Sequence, residues 1–227
     1  MEETRKPQYQ KNKSSSVHRD QSLGEEIANA ITHGIGAALS IAGLVLLVIA
    51  AAIHGDAWYV LGFSLFGSSA IILYLSSTLY HALSHPKAKA VFKVLDHSTI
   101  YILIAGSYSA FLLPVLRGHG GMILFWVLWG FTLAGILYQT FLVEKYRILS
   151  TLLYIAMGWS IVSVWPQLFQ IVPLVTILFL IAGGLSYTIG TIFYALDKRF
   201  MWLHSIWHLF VIGGTVCHFF AAMFLLA

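Results

Sequence analysis

Charge and sulfur are what this chain has least of. Only 10% of its 227 residues are charged and there are 9 acids in all, against roughly 25% charged residues in an average soluble domain. Such a chain cannot clothe a water-facing surface, and it is 59% hydrophobic, so the expected class is a polytopic membrane protein whose solvent is lipid. There is a single cysteine, Cys217, within an apolar stretch. That excludes an intrachain disulfide and any CxxC metal site, and leaves nitrogen and oxygen as the only metal ligands. No apolar run occurs in the first 22 residues, which excludes a signal peptide there and reads as a disordered basic cytosolic tail, residues 1–22, ahead of one membrane domain, 23–227. The net charge of +4 does not imply a nucleic-acid partner, because the basic residues sit in short breaks between apolar spans.

What is present is a series of apolar runs long enough to cross a bilayer, each of about 20 residues: 37–53, 57–83, 91–113, 122–143, 149–165, 172–194 and 204–226. The expected fold is therefore all-α, a seven-helix transmembrane bundle. The breaks carry turn or charged residues: His54 to Asp56, His85 to Lys87, Pro114 to Gly121, Glu144 to Arg147, Trp165-Pro166 and Asp197 to Arg199. With the N-terminus in the cytosol, 12 of the 13 Lys and Arg residues lie inside and only Arg117 outside. The positive-inside rule then places the N-terminus in the cytosol and the C-terminus outside. Ser22-Leu23-Gly24-Glu25 matches a capping box, so the first helix is expected to start well before its apolar run. Along that extension Glu25, Asn29 and His33 share one face, either lining a cytosolic vestibule or facing solvent beside an interfacial stripe of Leu23, Ile27 and Ile31.

In that orientation the end of the second span and the starts of the third and seventh meet at the cytosolic side. These ends hold the unusual polar residues. Ser77 and His81 are four apart on one helix face, as are His204 and His208. Asp96 is the one acid clearly within an apolar span. A His-xxx-His pair with a third histidine from another helix is a common zinc arrangement, and its open fourth position activates water. Asp96 would orient that water or take its proton, and Ser77 would stabilise developing negative charge. The alternative is a set of packing histidines hydrogen-bonded across the bundle. Ionisable groups inside lipid mark function by default, and three helices offering ligands at one level favour the metal. His97 points about 100° away from Asp96 and is expected beside the ligands and not among them. His218, roughly 15 Å further along its helix than His208, is expected to pack.

At these residues the chain resembles the hemolysin III branch of the progestin and adiponectin receptor family. The resemblance is carried by Glu25 to Gly34, Ser77-Thr78-Leu79-Tyr80-His81, Leu95-Asp96-His97-Ser98 and His204-Ser205-Ile206-Trp207-His208. It implies Zn2+ on His81, His204 and His208, with Asp96 and Ser77 near the bound water. The wider superfamily includes alkaline ceramidases, so the resemblance implies a zinc-dependent hydrolase of lipid amide or ester bonds in a multi-pass bacterial cytoplasmic membrane protein. A receptor or regulator of membrane homeostasis with structural zinc is the other reading. A cytolytic pore former ranks below both, since seven apolar spans cannot stay soluble as a secreted toxin. Membrane lipid is the expected substrate or ligand.

Overall fold

A computed structural model of the chain describes residues 20–142 and 147–226. Most of the tail expected at 1–22, and the break at Glu144 and Lys145, lie outside the described residues. Everything described is helix or turn: α1 (Leu23–His54), α2 (Ala57–Ala82), α3 (Pro86–Leu112), α4 (Met122–Leu142), α5 (Arg147–Gly158), a 3-10 turn (Trp159–Val164), α6 (Trp165–Ile171), α7 (Leu174–Leu196) and α8 (Leu203–Met223).

The starts follow from local chemistry. Ser22 and Glu25 form the reciprocal capping box, with Glu25 N to Ser22 Oγ at 3.3 Å and Ser22 N to Glu25 Oε2 at 2.9 Å. At α2 the Asp56 carboxylate accepts from Trp58 N and Tyr59 N at 2.8 and 3.1 Å. Pro86 occupies the first turn of α3, where its missing N–H costs nothing, so this helix begins earlier than residue 91. Pro166 behaves likewise. Expected to end a span, it instead opens α6, and the apolar helical stretch continues from Arg147 to Ile171. Between α3 and α4 the chain turns through Arg117–Gly121, where His119 and Gly120 leave helical geometry and Gly120 has φ 84°.

Six of the described helical stretches are long and apolar enough to cross a membrane. The remaining long helix, α3, is more polar, with Lys87, Lys89, Lys93 and Asp96 in its first half. Its second half is almost wholly buried, from Tyr101 to Leu112, so it faces protein and has no need of a lipid-facing apolar surface. The helices close a ring in the order α1, α2, α3, α5, α7, α8 and back to α1, with α4 packed on the outside of α3. The polarity is inverted relative to a water-soluble domain: Val45, Leu46, Phe131, Leu137 and Phe141 are exposed, while Ser77, His81, Asp96 and His208 are buried. This is a polytopic membrane protein.

α1 and α8 lie side by side and run in the same direction. Glu25 meets Trp202, Asn29 meets Ser205, and Thr32 meets His208, a register that advances together on both helices.

Candidate metal centre

His81 comes from the last turn of α2, and His204 and His208 come from the first two turns of α8. One ring nitrogen of each lies within 4.8 Å of the others, and all three residues are buried. The rings stand at centroid separations of 4.8 to 5.2 Å, tilted or edge to face and not stacked.

The other nitrogen of each ring is held by a partner. His81 Nδ1 lies 2.7 Å from Glu26 Oε2, and His204 Nδ1 lies 2.7 Å from Asp197 Oδ2. An ionised carboxylate only accepts, so Nδ1–H donates in both rings and the lone pair of each neutral ring sits on Nε2. His208 Nδ1 is 3.3 Å from Thr32 Oγ1. That hydroxyl donates its proton to the Asn29 carbonyl at 3.0 Å, which leaves it to accept from His208. Each Nε2 is buried with no hydrogen-bond partner in the protein. Three basic nitrogens thus face one another from rings fixed at the opposite end, the pattern of metal-binding histidines braced through their second nitrogen. Buried polar atoms without partners are rare in native proteins. Ser77 Oγ and both nitrogens of His33 are also buried without a partner.

The braces are themselves anchored. Glu26 pairs with Lys89 at 2.8 Å, and Asp197 pairs with Arg147 at 2.8 Å. Burial works against charge on Asp197, yet the hydrogen bond from His204 and the Arg147 guanidinium hold its carboxyl below the ordinary carboxylate value. Arg147 also lies over the Tyr194 ring at 3.8 Å and donates to the Tyr194 carbonyl. Sequence reading missed Glu26, Asp197 and Thr32. Glu26 stands beside Glu25, but 100° of helical rotation turns it towards α2 instead of α8. Asp197 lies in the Asp197-Lys198-Arg199 break, where its charge reads as a loop signal.

The remaining expected residues fall around this cluster. Asp96 and Ser77 are buried. Glu25, Asn29 and His33 are also buried, at 0 to 1% exposure, so this face of α1 is packed against the bundle and does not face solvent. His33 stacks on His208 at 3.5 Å with ring planes 9° apart. His97 donates from Nδ1 to the Lys93 carbonyl at 2.8 Å and faces Tyr194, one ring removed from His204. His218 packs edge-on against Tyr187. From the level of His33 and Asp96 a cavity of 340 Å3 runs between α3, α5, α7 and α8, with an almost entirely apolar wall that includes Leu103, Ile104, Ile155 and Val211.

Comparison with known proteins gives a consistent set of relatives. The profile of a family described as "Haemolysin-III related" matches residues 21–219. The chain is similar to "Hemolysin-3 homolog" of Bacillus subtilis (strain 168), 45% identical over 202 residues that cover 89% of this chain and 94% of that one. It is similar to "Hemolysin-3" of Bacillus cereus, 46% identical over 204 residues, covering 90% and 93%. It is also similar to the human "Monocyte to macrophage differentiation factor", 29% identical over 206 residues, covering 87% and 82%. No solved structure matches.

Proposed function

The chain belongs to the haemolysin-III related family, and from that membership together with the histidine cluster we propose that it is a zinc-dependent hydrolase of lipid amide or ester bonds. The observation that carries this is the convergence of three Nε2 lone pairs whose rings are oriented by Glu26, Asp197 and Thr32. His81, His204 and His208 hold the ion, and Zn2+ suits a neutral imidazole set. Bound there, it supplies Lewis-acid activation of water. Asp96, on the cavity wall, accepts the proton of the attacking water, and the Ser77 hydroxyl donates to the oxygen that gains charge. The apolar cavity takes the hydrocarbon of the substrate, with the bond to be cut held at its His33 and Asp96 end.

The bundle has seven spans, with α3 as the seventh, an N-terminus in the cytosol and a C-terminus outside, in the bacterial cytoplasmic membrane. The parallel course of α1 and α8 supports this, since two parallel end helices require an odd number of crossings. The Lys and Arg distribution supports the orientation. The metal centre then lies at the cytosolic side.

The test is elemental analysis and turnover on one detergent-purified preparation. Wild type is expected to hold about one zinc per chain, as one three-histidine site requires, and to cleave ceramide-like or ester-linked acyl lipids. Asp96→Ala should keep the zinc and lose turnover by about 10²–10⁴-fold, the range for a lost proton acceptor. Zinc-loaded wild type without turnover on either lipid class would overturn the hydrolase. A second reading, a membrane-state regulator with structural zinc, is favoured by the complete burial of all three Nε2 atoms. It expects zinc, no turnover, and a lower unfolding temperature in His81→Ala.

A further inference from the structure

Among the described residues, one that is not glycine has a positive φ: Trp202, at φ 67° and ψ −8°, in the left-handed region. A bulky side chain is strained there and stays only where its surroundings over-determine it. Trp202 is the residue immediately before α8, two positions ahead of the ligand His204. No side chain of its own caps the helix.

The partner that holds it comes from the other end of the sequence. Glu25 is fully buried. One carboxylate oxygen, Oε2, takes the backbone N–H and hydroxyl of Ser22, both at 2.9 Å, which closes the capping box of α1. The other, Oε1, accepts the backbone N–H of Trp202 at 2.8 Å. The indole lies over Gly24, where a Cβ would stand 3.4 Å from it. One side chain therefore starts α1 and fixes the turn that starts α8. Further along the same two helices, Asn29 takes the Ser205 hydroxyl and Thr32 braces His208, so an error at the first contact would propagate along the register.

We infer that Glu25 is a positioning residue of the metal centre: by holding Trp202 in the left-handed conformation, it fixes the N-terminus of α8 so that His204 and His208 face His81. This rests on the metal-centre reading above.

The test uses the full chain in detergent as wild type, Glu25→Ala, Trp202→Gly and the double variant, because alanine removes the acceptor for the Trp202 N–H and glycine adopts positive φ without strain. Zinc affinity is read by competition with a chromophoric chelator, and ligand geometry by the visible d–d band of the cobalt(II) protein. Glu25→Ala should weaken zinc about tenfold, as loss of an orienting partner does, and should shift the cobalt band. Trp202→Gly should match wild type, and in the double variant it should restore both readouts. Trypsin cleavage of metal-free protein at Lys198 and Arg199 reports the turn itself: faster in Glu25→Ala, and returned to the wild-type rate in the double variant. Glu25→Ala indistinguishable from wild type, or a double variant as impaired as Glu25→Ala, overturns the inference. Should wild type bind neither ion, the metal reading falls, and cleavage of the metal-free chain alone decides whether Glu25 holds the turn.

Discussion

An imidazole has two nitrogens, and what one binds determines what the other offers. In His81 and His204 a carboxylate accepts the hydrogen bond of Nδ1–H, and in His208 the Thr32 hydroxyl accepts it while donating to the Asn29 carbonyl. The i, i+4 spacing of His204 and His208 was readable because helical geometry puts such pairs on one face. Their partners were not, because Glu26 and Asp197 reach the rings across 55 and 7 residues of sequence through packing alone. Graded substitution tests this bracing. Glu26→Ala and Asp197→Ala should each weaken zinc by about 10–100-fold. Glu26→Gln and Asp197→Asn keep an oxygen acceptor for Nδ1–H and should fall between alanine and wild type. Competition titration checks the order, and alanine variants binding as tightly as wild type would remove the carboxylates from the site.

Helix boundaries were legible wherever a local rule fixes them. The capping box at Ser22 and Glu25 is such a rule. Pro166 misled because proline is a breaker only in a helix interior; in a first turn it is tolerated, and sequence alone does not say which turn it will occupy. Helix spacing was not legible either. Gly62 lets α2 meet α3 closely, since a Cβ there would stand 2.6 Å from the Ser109 carbonyl oxygen, a backbone atom that cannot swing aside. Gly62→Ala should cost about 1–3 kcal/mol, the usual penalty for overpacking, seen as a lower unfolding temperature in detergent. An unchanged unfolding temperature would mean that the helices part freely. Zinc content at low temperature should stay as in wild type, because Gly62 is in the first third of α2, far along it from His81.

Across the whole molecule the arrangement is a ring of helices with its polar groups turned inward and its apolar groups outward. Lipid imposes this, for a buried ionisable group costs less when it meets another than when it meets hydrocarbon. α3 is the span with the most polar first half, and its second half is buried between α2, α4 and α5 and so needs no lipid-facing apolar surface. The proposed seven crossings make a direct prediction. A reporter fused to the N-terminus should be active only in the cytosol and one fused to the C-terminus only outside, and finding both on one side would sink that topology. By itself, the sequence determined the membrane class, the positions of most helices and the three candidate ligands, because hydropathy, caps and i, i+4 spacing act within one helix. Only the tertiary structure decided that α1 lies parallel to α8, that its polar face is buried, and that Glu25, Glu26, Thr32 and Asp197 hold the turn and the rings. Those are contacts between segments that only packing brings together.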